Sequence, residues 1–121
     1  MKPQLPYKRT DRFGHQLQQI LGEIARKYFD FSHLGFITFT RVIVSPDLRY
    51  AKIFFSVIAS QTETEKIQKE LNRLRKAFKK YLAPELHVKN IPDLRFFYDD
   101  TVEYQEKIEI LFKTMDRETK Q

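Results

Sequence analysis

The segment between residues 60 and 82 carries the clearest chemical signal in the chain. Five basic residues, hereafter the basic helix face, recur in it at steps of three and four: Lys66, Lys69, Arg73, Lys76 and Lys80. At about 100° per residue, this spacing puts them in one helical stripe about 80° wide. A second stripe, centred about 150° away, is apolar and consists of Ile67, Leu71, Leu74, Phe78 and Tyr81. The pattern predicts a helix with one packed face and one positive face.

Acidic residues hardly interrupt this positive face. Residues 66–80 contain seven bases, Arg75 and Lys79 included, and a single acid, Glu70. The alternative interpretation is a merely solvated face, but such a face normally mixes both signs because like charges four residues apart repel. A one-sided basic face suits nucleic acid, since each phosphate that it neutralises releases condensed counterions. We therefore predict that it faces phosphates.

Further bases lie near the N-terminus. Residues 1–10 are polar and interrupted by Pro3 and Pro6, and they are predicted to form a flexible basic arm. Arg12 lies just after this arm, at the start of the first predicted helix. The predicted RNA-binding set is Lys8, Arg9, Arg12, Lys66, Lys69, Arg73, Arg75, Lys76, Lys79 and Lys80. The sequence does not tell which way four other bases point: Arg41, Arg49, Lys52 and Lys89.

Three aromatic residues in predicted strands are candidates for stacking on bases: Phe54, Phe97 and Tyr98. Unpaired bases stack on such rings in many RNA-binding sheets. The alternative is that they fill the core, because the chain has no tryptophan and its eleven phenylalanines must supply most of the large core volume.

Signals for catalysis are weak. The three histidines, His15, His33 and His87, are far apart, and three glycines in total cannot build a phosphate-cradling loop. Asp99 and Asp100 could hold a metal ion, as in a hydrolase or nuclease, but acids at the end of a strand more often cap backbone N–H groups. We predict no enzyme, no metal, no cofactor and no small-molecule substrate.

Composition predicts one folded domain. The chain has 121 residues, a hydrophobic fraction of 41%, a net charge of +6 and no cysteine. The absence of cysteine fits a reducing compartment, and no segment approaches the roughly 20 apolar residues of a membrane span. These observations predict a cytoplasmic protein with no membrane partner.

The elements follow from local patterns. A helix is predicted from Asp11, as N-cap, to Phe29. The β-branched segments Phe36–Val44 and Tyr50–Ile58 flank a Ser-Pro-Asp turn, which predicts an antiparallel hairpin. Ser60 to Glu63 has the spacing of a capping box for the helix that ends near Leu82.

A third strand is predicted over Leu94–Thr101, followed by an amphipathic C-terminal helix over about 103–115. The resulting order, α-β-β-α-β-α, is typical of an α+β domain whose helices lie on one face of the sheet. The predicted organisation is a basic arm over 1–10, a domain over 11–115 and a polar tail over 116–121.

Two motifs resemble those of the ribosome-binding factor A family. The first is Val42 to Ile53 (VIVSPDLRYAKI), and the second is Pro92 to Asp99 (PDLRFFYD). Arg12 and the first helix also match the family's N-terminal region, so the resemblance covers roughly residues 10–113.

The resemblance implies a type II KH-like fold, α-β-β-α-kink-α-β, with a three-stranded sheet. It further implies a kink between two helices in place of a glycine-rich loop, and here the stretch Arg75-Lys76-Ala77 is equated with that kink. The implied function is a non-catalytic assembly factor that binds the small ribosomal subunit and its rRNA, aids processing of rRNA ends and helps growth in the cold. The protein is expected to be monomeric when free. The alternative function is a protein-interaction or regulatory module that uses a sheet edge.

Overall fold

The computed structural model describes residues 9–101, so that Lys8, the predicted C-terminal helix over about 103–115 and the polar tail lie outside the described residues. The helices and strands are α1 (Arg9–Tyr28), β1 (Phe36–Val44), β2 (Tyr50–Ile58), α2 (Thr64–Arg73), α3 (Arg75–Leu82) and β3 (Asp93–Tyr98). Two short 3-10 turns cover Ser32–Leu34 and Ala83–Glu85. Within residues 9–101, no helix is long and apolar enough to cross a membrane.

The three strands form one sheet in the order β1-β2-β3. β1 and β2 make the predicted antiparallel hairpin, and β3 runs parallel to β2. The helices lie on one face, where β2 contributes Ala51, Ile53 and Phe55 to the core. The predicted apolar stripe of the second helix is confirmed, because Ile67, Leu71 and Phe78 are fully buried and Leu74 and Tyr81 are partly buried.

The hairpin turn explains much of the first family motif. Asp47 accepts hydrogen bonds from the Ser45 hydroxyl (2.7 Å) and from the Arg49 N–H (3.1 Å). The Ser45 hydroxyl oxygen in turn accepts the Tyr50 N–H at 3.0 Å. The Arg49 carbonyl accepts the Asp93 N–H at 2.8 Å, which ties the start of β3 to this turn. These residues therefore set the geometry of the sheet.

Gly14 lets α1 approach β1 closely. A Cβ atom built on Gly14 would lie 2.8 Å from the carbonyl oxygen of Val42, which is closer than side-chain carbons come to backbone oxygens. Glycine lowers the stability of the helix, but at this position only a residue without a Cβ atom allows the close contact between α1 and β1.

Thr40 forms a β-bulge in β1. Phe39 pairs with Phe55 and Arg41 pairs with Phe54, so Thr40 is one extra residue on this strand. A bulge shifts the side-chain alternation by one position. As a result Arg41 points to the face of the sheet opposite the helices, while Val42 returns to the core side.

The kink lies one residue before the stretch that the resemblance indicated. The helix breaks at Leu74 (φ −91°, ψ 6°), whereas Arg75, Lys76 and Ala77 form the first turn of α3. The Leu74 N–H is shared between the carbonyls of Glu70 (3.2 Å) and Leu71 (3.1 Å). This conformation is open to any residue, so the kink needs no glycine here, and the partly buried Leu74 side chain packs against the core.

Three predicted boundaries were wrong. Asp11 is not an N-cap, because α1 already includes Arg9, which also removes the last two residues of the predicted arm. The capping box does not form: α2 begins at Thr64, and the Ser60 hydroxyl instead accepts the Thr62 N–H at 3.1 Å. β3 ends at Tyr98, because residues 100 and 101 are already helical.

Side-chain amides occupy both outer edges of the sheet. On β3, Asn72 pairs with Phe96 as a strand would, accepting its N–H and donating to its carbonyl, both at 2.9 Å. Gln68, one turn earlier on α2, accepts the Tyr98 N–H at 2.8 Å. On β1, the Gln18 amide donates to the carbonyls of Phe39 (3.0 Å) and Thr40 (3.1 Å).

Candidate nucleic-acid interface

The basic helix face lies on the solvent side of α2 and α3. All five of its members are exposed, while the apolar stripe of the same helices faces the sheet. Within residues 9–101, four of the five make no ion pair, namely Lys66, Lys69, Lys76 and Lys80. These four lysines present unneutralised charge along both helices, which is what a phosphate backbone requires.

The other three predicted bases of this region already have partners. Arg73 makes a bidentate pair with Glu70, with N–O distances of 2.9 and 2.7 Å. These hydrogen bonds from Arg73 lower the pKa of the Glu70 carboxyl below its ordinary value. Lys79 contacts Asp93 at 3.1 Å, and Arg75 donates to the carbonyl of Asn72 at 3.3 Å. Their charge is partly satisfied within the fold.

The break at Leu74 divides the basic helix face. The helical ladder resumes with Phe78, whose N–H donates to the Leu74 carbonyl at 3.0 Å. Residues 75–77 therefore form a new first turn, and the N–H groups of a first turn lack partners within their helix. Lys76 lies in this turn, two residues after the break.

Arg9 and Arg12 lie apart from the contact between α1 and α3. That contact is made at the C-terminal end of α1, where Tyr28 stacks on Tyr81 with ring centroids 4.0 Å apart. Sixteen residues of α-helix separate Arg12 from Tyr28, which is about 24 Å along the axis. Both arginines are exposed, near the end of α1 where Gly14 approaches Val44. The contacts thus do not join them to the basic helix face.

A second group of cations lies on the opposite side of the molecule. Arg41, Lys52 and Arg95 are exposed on the face of the sheet away from the helices, where the half-buried Phe54 and Phe97 also lie. The sequence did not orient Arg41 and Lys52, and it missed Arg95, whose alternation in β3 was the available signal. We call Arg41, Ile43, Lys52, Phe54, Arg95 and Phe97 the outer sheet face.

Tyr98 does not join Phe54 and Phe97 as a stacking candidate. It pairs with Phe55 on the core side of the sheet, and the two rings meet edge to face with centroids 5.7 Å apart. The alternation of β3 puts Phe97 outward and Tyr98 inward.

Asp99 has a structural role in the fold. Its carboxylate is buried and accepts hydrogen bonds from the Thr40 hydroxyl (2.7 Å) and the Thr101 N–H (3.1 Å). Burial raises the pKa of Asp99, but these hydrogen bonds and the charge of Arg41 outweigh burial, so the pKa lies below its ordinary value. Both oxygens are thus engaged, and residues 9–101 contain no group of three metal-ligating side chains.

We expect Asp99→Asn to lower the free energy of unfolding at pH 7 by about 1–2 kcal/mol, because it weakens charge-assisted hydrogen bonds. The folded-state pKa of Asp99 is depressed, so its contribution is present above about pH 4 and is lost as the pH falls through the folded-state value. The difference from the unsubstituted chain should therefore shrink in acid. Urea unfolding between pH 3 and pH 7 measures this, with exposed Asp100→Asn as the control; a difference that stays constant with pH would contradict the prediction.

The architecture is that of a KH-like domain. Two helices separated by a kink pack on one face of a three-stranded sheet, and two of its strands, β2 and β3, run parallel. The sequence profile of the family described as ribosome-binding factor A matches residues 9–112. The chain therefore belongs to the ribosome-binding factor A family, as the resemblance predicted.

Individual relatives agree with this assignment. Ribosome-binding factor A of Thermomicrobium roseum is 32% identical over 114 residues, which span 94% of this chain and 88% of that protein. The crystal structure of ribosome-binding factor A from Thermus thermophilus gives a TM-score of 0.65 at 22% identity, covering 76% of this chain and 97% of that chain. A homology model of the Thermus thermophilus factor, fitted into the cryo-EM map of a 30S–RbfA complex, gives 0.61 at 21% identity, covering 75% and 96%. The predicted KH-like fold is confirmed.

Proposed function

We propose that this protein binds the small ribosomal subunit through its rRNA and assists late maturation of that subunit, including processing of the rRNA ends, without catalysing cleavage itself. The observation that carries the proposal is the basic helix face, with four lysines that no acid of residues 9–101 neutralises. Family membership and the 30S complex of the Thermus thermophilus relative support the choice of partner.

The mechanism follows from the kind of contact that lysines make. Phosphate contacts provide affinity and register but little sequence information, so the shape of the subunit supplies selectivity. The basic helix face, with Arg75 and Lys79 at its flank and Lys8, Arg9 and Arg12 as a second group, holds a local rRNA conformation during assembly. The protein acts in the cytoplasm, is monomeric when free and supports growth in the cold.

Neither alternative function gains support from the described residues. A nuclease built on Asp99 needs a carboxylate free to bind a metal ion, but the oxygens of Asp99 accept hydrogen bonds from Thr40 and Thr101. A module that adds a partner strand needs an open sheet edge. The amides of Asn72 and Gln68 already bond the β3 edge at Phe96 and Tyr98, and on β1 Gln18 bonds the carbonyls of Phe39 and Thr40.

Co-sedimentation in sucrose gradients tests the proposal. The full chain should sediment with free small subunits and not with whole ribosomes or large subunits, and the bound fraction should fall steeply between about 50 and 200 mM salt. Small subunits from cells that lack the protein should carry unprocessed rRNA ends. Binding that is equal for both subunits, or that ignores salt, would refute the proposal.

A further inference from the structure

The outer sheet face is open within residues 9–101, since the described helices all pack on the other face. Its side chains form two rows across the three strands. One row is Arg41, Phe54 and Phe97, and the other is Ile43, Lys52 and Arg95. Strands lie about 4.8 Å apart and residues two positions apart are about 6.6 Å apart along a strand, so each row spans about 10 Å and the rows lie side by side.

Arg41 is held in place while much of it stays exposed. Its guanidinium carbon lies 4.2 Å from the centroid of the Phe54 ring, and its Nε lies 3.9 Å from the buried carboxylate of Asp99. The Arg41 side chain nevertheless keeps 54% of its surface exposed. One side of the planar guanidinium therefore packs on the Phe54 ring. Thr40, the bulge residue that precedes Arg41, also donates its hydroxyl to Asp99. Such a preoriented plane is a stacking partner for an unpaired base.

The second row supplies charge. Lys52 and Arg95 are neighbours across β2 and β3, and neither makes an ion pair within the described part of the chain. The nearest acid in this register is Asp93, whose carboxylate is bound by Lys79. The Lys52 ammonium also lies 6.0 Å from the centroid of the Phe97 ring. An aromatic row beside a cationic row is complementary to bases beside phosphates.

We propose that the outer sheet face is a second RNA-binding surface, which takes a short single-stranded segment with one base on Arg41, a neighbouring base at Phe97 and the adjoining phosphates on Lys52 and Arg95. This inference rests on the proposed function in one respect: the RNA segment is taken to belong to the rRNA of the small ribosomal subunit. Duplex RNA does not fit, because its bases are stacked on one another and present no free face to the first row. The surface lies across the sheet from the basic helix face, so both can be occupied together.

NMR of the full chain with the single-stranded probe decauridine tests the inference. We expect chemical-shift changes at the backbone N–H groups of Arg41, Lys52, Phe54, Arg95 and Phe97, and no competition from duplex RNA. The triple variant Arg41→Gln, Lys52→Gln and Arg95→Gln should weaken decauridine binding at least about 10-fold. The double variant Lys52→Gln, Arg95→Gln, confined to exposed side chains, should weaken it in the same direction even if loss of Arg41 perturbs the sheet.

The matched control is Arg26→Gln, Lys27→Gln and Arg49→Gln, which removes the same charge elsewhere and should leave decauridine binding within about twofold. Shift changes confined to α2 and α3, or equal competition by duplex RNA, would overturn the inference. Nuclear Overhauser contacts between residues 102–121 and the outer sheet face that persist with RNA would also overturn it, because the chain itself would then occupy the surface. Co-sedimentation with small subunits can persist in each of these cases, so the two proposals fail separately.

Discussion

Reversal of the charge on Lys66, Lys69, Lys76 and Lys80 should lower the affinity for small subunits by more than about 100-fold near physiological salt. Each lysine that neutralises a phosphate releases condensed counterions, and four such contacts together contribute a free energy of several kcal/mol. The quadruple Glu variant loses these contacts and adds repulsion. Arg73 is left unchanged because its bidentate pair with Glu70 already engages its guanidinium.

The dependence on salt is the sharper readout. The slope of log affinity against log salt should become shallower by about three to four, close to one for each contact removed. Sedimentation or filter binding across about 50–200 mM salt measures it. Reversal of four other exposed bases, Arg26, Lys27, Arg49 and Lys89, changes the net charge equally and is the control. Equal losses in the two variants would mean that binding follows net charge and that the basic helix face is not the interface.

Asn72→Leu should lower the free energy of unfolding by about 3 kcal/mol. The substitution keeps the approximate side-chain volume but leaves the Phe96 N–H and carbonyl on the β3 edge without their partner, and an unsatisfied buried backbone group costs about 1–3 kcal/mol. For a domain of this size, the corresponding fall in melting temperature is more than about 10 °C. Thermal and urea unfolding, followed by circular dichroism, measure the effect.

Two further substitutions calibrate the Asn72 result. Lys69→Leu, on the exposed side of the same helix, should change stability by no more than about 0.5 kcal/mol. Gln68→Leu removes one hydrogen bond to β3 and should fall between the two. If Asn72→Leu proves as mild as Lys69→Leu, the amide does not contribute to closing the strand edge.

Patterns that repeat along the chain were predictable from the sequence, and single departures from those patterns were not. The hairpin followed from β-branched residues around a Ser-Pro-Asp turn. The break at Leu74 could not be predicted from propensity, because leucine is a good helix former. The break coincides with the packing of Leu74 against the core, which is a tertiary contact that local propensity does not encode. The bond from Arg75 to the Asn72 carbonyl is local, since the partners are three residues apart, and it bridges the break.

The candidate site likewise has a part that was predictable from the sequence and a part that was not. Helical periodicity predicted that Lys66, Lys69, Lys76 and Lys80 share an exposed face, and their exposure follows that spacing. The ion pair between Lys79 and Asp93 could not be predicted from the sequence, because the two residues are fourteen positions apart and meet only where β3 begins. RNA contact by any of these residues stays a prediction.

The Thr40 bulge makes β1 tolerant of a change in length at one position. Because Thr40 is the extra residue, deletion of its codon would join Phe39 directly to Arg41, and strict alternation would still put Arg41 outward and Val42 inward. The loss would fall instead on Asp99, whose carboxylate accepts the Thr40 hydroxyl at 2.7 Å. A related gene with a one-residue gap at this place would therefore keep both faces of the sheet, and we expect it to carry an uncharged side chain at the position of Asp99.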